Sequence, residues 1–366
     1  MTVAFYISGH GFGHASRQIE ILNAFAVRRP DVRLILRTSA ARWLFDRTLQ
    51  PPFLLIDGPC DTGVVQIDSL RLDIPATIDT ARTFYGAFER RVAEEATLLR
   101  DHDGTFVVAD APPLGCAAAA AAGIRSVVVS NFTWDWIYEE YAEYVPAAPE
   151  VIPVIRRAYA QAEGAWRLPV HGGFESFRTV VDVPFVARHA RHAREETRAA
   201  FGLPAARPIA LVSFGGYGVE RLDLRRLDCL EQWAILTTDD LQPDADAGVH
   251  AVKNHDIYDR GFRYEDLVRA SDVVMTKPGY GIVSECLAND TAVVYTSRGR
   301  FAEYPIMVTA MPRFLRCAEI SHDDLFAGRW LDALNRAIGA APPPTRPATN
   351  GAEVIADMIV GALDGR

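Results

Sequence analysis

The chain has 366 residues, 49% of them hydrophobic, and a formal net charge of −9. That size and apolar content suit one large or two ordinary domains, and the negative charge excludes a general nucleic-acid binder, whose footprint is basic. Five scattered cysteines without metal-ligand spacing fit a reducing compartment; with no basic-then-apolar leader and no apolar run of ~20 residues, a cytoplasmic protein without a transmembrane segment is expected.

The first predicted strand is VAFYIS (3–8). It runs into GHGFGHASR (9–17), three glycines and two histidines ahead of a helix that starts near His14, with Ile19, Leu22 and Phe25 on one face. Glycines there let the backbone turn sharply or let a ligand approach closely, and a helix start after a strand offers free N–H groups to an anion. The loop nearly fits a dinucleotide fingerprint through Gly9 and Gly11, but His14 stands at its third glycine, and an imperfect fingerprint is weak evidence. Further strands follow at RLILRT (33–38), FVVAD (106–110) and VVVS (127–130). The small-residue run GCAAAAAAG (115–123) reads as a tightly packed helix, and NFTWDWIYEEY (131–141) as an aromatic segment able to stack on a sugar or an apolar acceptor.

A charged helix is expected from about Arg188 to Phe201, after a domain boundary near 183–187. Strands then recur at IALVSF (209–214), WAILTT (233–238), VHAV (249–252), VVMTK (273–277) and VVYT (293–296). Glycine loops follow two of them, at Gly215, Gly216 and Gly218 and at Gly279 and Gly281. Short apolar strands alternating with helical segments argue for parallel sheets with crossover helices. The acidic pairs at 239–240 and 244–246 read as solvated loop charges. Asn350 and Glu353 stand at capping-box spacing before a last helix. The expected organisation is an α/β protein of two Rossmann-like units: residues 1–185, residues 186–345, and a terminal helix, 346–366, free to cross back onto the first unit.

KPGYGIVSE (277–285) followed by RGRFAEYP (298–305) resembles the donor-binding motif of GT-B glycosyltransferases, near the enzyme that adds N-acetylglucosamine to the lipid-linked peptidoglycan precursor. GHGFGHASR, SNFTWDWIYEEY (130–141) and DVPFVARHARHAREETRAAFGL (182–203) resemble still more the glycosyltransferase-like N-terminal region of plant arabinokinases and its free-standing bacterial relatives. The resemblance covers nearly the whole chain. It implies a GT-B fold with an interdomain cleft, the nucleotide sugar mainly on the second domain and the acceptor mainly on the first. No glycine/serine-rich kinase loop follows residue 305, so arabinokinase activity is not implied.

Carried over by position, Gly11, Gly13, Arg17, Gly215, Gly216, Gly218, Lys277, Gly279, Tyr280, Gly281 and Ser284 are expected around the diphosphate. Glu285 is placed on the ribose, the nucleobase between Lys253 and Arg263, and Arg298 and Glu303 at the donor sugar. Relatives often carry glutamine or an Asp-Gln pair near Glu303 and Tyr304, a departure that bears on which sugar is held. His14 stands where many relatives have a catalytic histidine, and Asp110 is the candidate to orient it. His10, Trp134, Asp135 and Trp136 are expected at the acceptor, with His10 the alternative base. The resemblance thus implies inverting, metal-independent transfer from a UDP-linked sugar, with the nucleotide sugar as co-substrate and no other cofactor. The acceptor is left open among small-molecule, lipid-linked and natural-product classes. Two other readings share these loops: a UDP-N-acetylglucosamine 2-epimerase-like enzyme, and a non-catalytic nucleotide-sugar-binding module.

Overall fold

In the computed structural model, which describes residues 1–216, 218–220, 222–238 and 248–365, the chain forms two separate parallel sheets. The acidic pairs at 239–240 and 244–246 lie outside the described residues. The first sheet contains β1 (Thr2–Ile7), β2 (Arg33–Thr38), β3 (Leu54–Asp57), β4 (Gly104–Asp110), β5 (Arg125–Phe132), β6 (Gly164–Gly172) and β7 (Val180–Asp182) in the order β3-β2-β1-β4-β5-β6-β7. The second contains β8 (Ile209–Ser213), β9 (Ala234–Thr237), β10 (Val249–Ala251), β11 (Val273–Thr276), β12 (Ala292–Tyr295) and β13 (Cys317–Glu319) in the order β10-β9-β8-β11-β12-β13. Each order reverses beside a strand that ends in one of the glycine loops: β1 against β4, and β8 against β11. In doubly wound sheets ligands bind outside strand carboxyl ends at such reversals.

The central strands are continuous apolar runs because helices cover both faces. β1 is buried at all six positions. The small-residue run is the helix Pro113–Ala122, stopped by Gly123 in the left-handed region. Its Gly115 lies against the Tyr6 ring, where a Cβ would come within 2.9 Å.

Four strands, β3, β6, β7 and β13, escape the sequence reading. They are short or carry glycine and proline, as in GAWRLPVHG of β6. The charged helix is shorter than expected, Arg194–Ala200. Residues 190–192 are drawn off instead: Ala190 N–H donates to Asn289 Oδ1, and the Arg191 and His192 N–H groups donate to Asp266 Oδ1.

The last helix, Gly351–Leu363, packs on the first, Phe12–Arg28, with Ile355, Ala356 and Ile359 beside Ile21, Leu22 and Phe25. The expected capping box is not formed, since Asn350 makes no side-chain cap. Asn350 pairs instead with Val186 in an antiparallel bridge, and Gly351 N–H donates to Phe185 O at 2.9 Å.

One excursion from the first sheet joins the two units. After β3 the chain makes a hairpin, with Gln66 bridged to Leu72. Its tip carries Leu70 into the core of the second sheet beside Val212 and Phe214. Ser69 N–H donates to Gly218 O at 3.0 Å, and Arg71 Nη2 donates to Glu220 Oε2 at 2.7 Å. Leu70→Ala is expected to cost about 2–5 kcal/mol, the range for a buried Leu→Ala change, and to lower the thermal midpoint; an unchanged midpoint would mean that the tip is not docked in solution.

Candidate active site

The glycine loop of the first unit faces the two of the second across one cavity of about 800 Å³ lined from both units. Gly11 adopts φ 75°, a left-handed turn that glycine takes readily, and the first helix begins at Phe12 with His14 in its first turn. A Cβ on Gly281 would lie 3.5 Å from the Gly13 Cα, so the first-unit loop and the start of the helix Tyr280–Ala288 are close neighbours.

Parallel pairing sets Asp110, the last residue of β4, beside Ile7 of β1. His14 Nδ1 lies 3.0 Å from Asp110 Oδ1. Asp110 is solvent-excluded, and its two bonded partners His14 and Arg17 line the cavity wall in front of it. Arg17 bonds both Asp110 Oδ1 and Asn131 Oδ1, and Asn131 Nδ2 donates to Pro169 O at 2.7 Å. Burial works against the Asp110 charge, but Arg17 and His14 outweigh it and hold the carboxyl below its ordinary value.

Arg17 Nη2 is also 3.2 Å from His14 Nδ1. Only one neutral tautomer of His14 satisfies all three groups. If Arg17 donated to Nδ1, two lone pairs would face each other between Nδ1 and Asp110. With the proton on Nδ1, both His14 and Arg17 donate to the carboxylate, and Nε2 is left as the basic nitrogen. Arg17, expected at a phosphate, has its terminal nitrogens committed to Asp110 and Asn131.

His10 also lines the cavity, its Nε2 3.2 Å from Gln66 Nε2. Burial, with His14, Arg298 and Lys277 nearby, lowers its pKa to about 3. That shift favours the neutral imidazole, a weaker base than an unperturbed histidine. Trp134 lines the same wall and donates from Nε1 to Asp61 Oδ2 at 2.8 Å. Asp135 and Trp136 do not line it: Asp135 is buried against Arg156, 3.1 Å away, and Trp136 packs over Gly172.

On the second unit, Gly215, Gly216, Lys277, Gly279, Tyr280, Gly281, Ser284, Glu285, Arg298 and Glu303 all line the cavity. Gly218 does not; its carbonyl accepts from the hairpin instead. Ser284 Oγ is bonded within its own helix, to Gly281 O at 2.8 Å. Arg298 is buried, donating to Pro278 O at 3.2 Å and Glu303 Oε1 at 3.1 Å, and its guanidinium carbon sits 3.4 Å from the Phe301 ring centroid. Burial raises the Glu303 carboxyl, against Arg298, His14 and Lys277. Burial and then Arg298 push the Lys277 amine down to about 7. Glu285 is raised to about 7 by burial, opposed by the ion pair to Arg188. Lys253, Asn254, His255, Tyr258 and Tyr264 close this end of the cavity.

The sequence reading missed Asp61, Gln66, Asn131 and Arg188. Asp61 is buried, accepts from Ser8 Oγ at 3.1 Å as well as from Trp134, and is raised by burial to about 6. Its one signal was an acid inside the turn-rich stretch GPCDTG (58–63). The other three are ordinary polar residues whose partners are distant in the chain. Among the described residues no group of three or more His, Cys, Asp or Glu side chains is placed to hold a metal ion, and no helix is long and apolar enough to cross a membrane.

No protein-family model matches the chain. All of it aligns at 32% identity, over 373 residues, with an L-arabinokinase of Arabidopsis thaliana, and it spans about a third of that protein's length, 35%. Among solved structures, the calicheamicin glycosyltransferase CalG4 superposes with a TM-score of 0.64 at 15% identity, covering 99% of this chain and 98% of that one. The glycosyltransferase VinC, solved in complex with DTDP, gives 0.56 at 14% identity over 100% and 95% of the two chains. A putative UDP-N-acetylglucosamine 2-epimerase from Listeria monocytogenes also gives 0.56, at 12% identity over 100% and 96%. Two parallel sheets, each reversing beside a glycine loop, and one cavity lined from both units: this chain has the GT-B glycosyltransferase fold, and throughout its length it is similar to part of a plant L-arabinokinase.

Proposed function

We propose that the protein is an inverting, metal-independent glycosyltransferase that takes a sugar from a UDP-linked donor. The observation that carries this reading is the His14–Asp110 pair facing, across a single cavity, the glycine loops and Glu285 of the second unit. In this reading the nucleoside lies between Tyr258, Tyr264 and Glu285. The diphosphate meets the Gly215–Gly216 amides and the start of the helix Tyr280–Ala288, where free N–H groups and the helix dipole favour an anion. The sugar lies toward Arg298 and Glu303, and the acceptor hydroxyl beside Trp134.

His14 Nε2 takes the acceptor proton as the new oxygen–carbon bond forms at the anomeric carbon. The bond from that carbon to the nucleoside diphosphate breaks on the opposite face, inverting the centre. Asp110 stabilises the imidazolium without accepting its proton. Backbone amides and Lys277 take up the charge developing on the leaving group, the task a metal ion performs elsewhere.

UDP binding, read as a thermal shift that grows with ligand concentration and persists in EDTA, tests the donor half. Loss of the shift in EDTA would overturn the metal-free reading. The UDP-linked donor follows the sequence resemblance, and the screen includes dTDP, GDP and ADP. The epimerase reading is favoured by Glu303, a buried carboxyl that lines the cavity within electrostatic reach of His14, where an acid or base at a sugar would stand.

Lys277 gives a pH-dependent expectation. Its amine is lowered to about 7 in the free protein, and a bound diphosphate stabilises the ammonium. The lysine's contribution to affinity is therefore full below pH 7 and declines above it, by up to about tenfold per pH unit. Lys277→Met should weaken UDP binding most at pH 6, with the wild-type and variant curves converging toward pH 9. Parallel curves in titration calorimetry would remove Lys277 from the phosphate site.

A further inference from the structure

Between the sheets the chain lines the cavity with Phe185, Val186 and Arg188, and it is fastened by Asn289, at the C-terminal end of the helix Tyr280–Ala288. Asn289 Nδ2 donates to Arg188 O at 3.0 Å, and its Oδ1 accepts Ala190 N–H at 2.8 Å. The backbone just after the Arg188 side chain is thus held at two points. Its guanidinium, largely buried, points into the site: Nε donates to Glu285 Oε1 at 2.7 Å, and Nη2 reaches the same oxygen. Nη1 lies 3.3 Å from Glu265 Oε2, and the guanidinium carbon is 5.9 Å from the centroid of the Tyr264 ring. Both arginine bonds to Glu285 end on Oε1. Among the described residues nothing bonds Oε2, and Glu285 lines the cavity.

The surroundings make this pairing consequential. Glu20 of the first helix and Glu265 of the helix Tyr264–Ala270 face Glu285 as like charges, while Arg188 faces it as the opposing one. Arg263, Arg191 and Tyr258 complete the charged and titratable groups around Glu20, Glu265 and Arg188. An acid so buried, with two like charges nearby, protonates unless a cation holds its charge.

We propose that Arg188 is a positioning residue for nucleoside recognition: it fixes the Glu285 carboxylate by one oxygen and leaves the other to accept the ribose diol. This rests on the reading that Glu285 meets the ribose. Recognition of the nucleotide then depends on the segment that joins the two units, through an ion pair between that segment and the helix.

The test is the ratio of Kd for 2′,3′-dideoxy-UDP to Kd for UDP, measured by calorimetry from pH 6 to 9. Phosphate and lysine titrations affect both ligands and cancel in the ratio. Wild-type protein should prefer UDP by about tenfold or more, the effect of hydrogen bonds to a charged group, with the preference growing as pH rises through 7. In Arg188→Met the preference should collapse toward one at pH 7 and return only at more alkaline pH, because the carboxylate has lost its cation. Arg188→Lys, which keeps a charge and guards against a misfolded Met variant, should fall between. If both variants keep the wild-type ratio and its pH course, even with both ligands weakened equally, Arg188 only fastens the chain and the proposal is overturned. If the wild-type ratio is one at every pH, the ribose role of Glu285 fails and the proposal falls with it.

Discussion

His14→Ala is expected to slow sugar transfer by ~10²–10⁴-fold, the usual contribution of a general base, while UDP affinity stays near the wild-type value. The separation follows from placement. His14 sits on the first unit in the opening turn of its helix, 3.0 Å from Asp110, whereas the loops assigned to the nucleotide belong to the second. His10, the alternative base, is disfavoured because burial lowers its pKa to about 3. Asp110→Asn should lower turnover too, because an amide can hold the imidazole in the wrong tautomer. It should also destabilise the protein, since Arg17 then keeps a buried charge without its carboxylate, a loss of about 3–5 kcal/mol for a broken buried pair. Turnover with release of the nucleoside diphosphate measures the first effect and thermal unfolding the second. Full turnover in His14→Ala would move the base elsewhere. Lost UDP affinity in that variant would make the first glycine loop a phosphate cradle.

Glu285→Ala is the second large effect. UDP affinity should fall by ~1–3 kcal/mol, the range for hydrogen bonds to a charged acceptor, with 2′,3′-dideoxy-UDP affected far less. Arg188 keeps Glu265 as a partner, 3.3 Å away, so the fold should survive. Unchanged UDP affinity in the folded variant would sink the ribose assignment.

Much of this was legible in the sequence. Buried parallel strands are apolar runs, so the central strands of both sheets stood out, as did the glycine loops that end β1, β8 and β11. His14 at a helix start and Asp110 at a strand end were readable as residues converging on one edge. What was not legible depends on long-range partners. Arg17 lines the cavity as expected of a phosphate contact, but nothing local shows that Asp110 and Asn131 also bind its guanidinium. Asp135 and Trp136 alternate with Trp134 in sequence, but the short helix Trp134–Glu139 turns them away from the cavity. The helix expected from Arg188 is pre-empted by Asn289 and Asp266, whose side chains capture the amides of residues 190–192. The hairpin carrying Leu70 has no apolar periodicity of its own, and its function of joining the units exists only once the second core is built.

The central claim is sugar transfer with inversion, through a cavity shared by the two units. Proton NMR of the protein incubated with an α-linked UDP-sugar, followed from the first minutes, tests it most directly. Release of UDP and the appearance of a β-configured product are expected: the free sugar where water is the acceptor, and a glycoside where a hydroxyl acceptor is supplied. Both signals should be reduced by ~10²-fold or more in His14→Ala. A sugar that stays bound to UDP and changes configuration at C2, or an α-configured product at the earliest times, would contradict it.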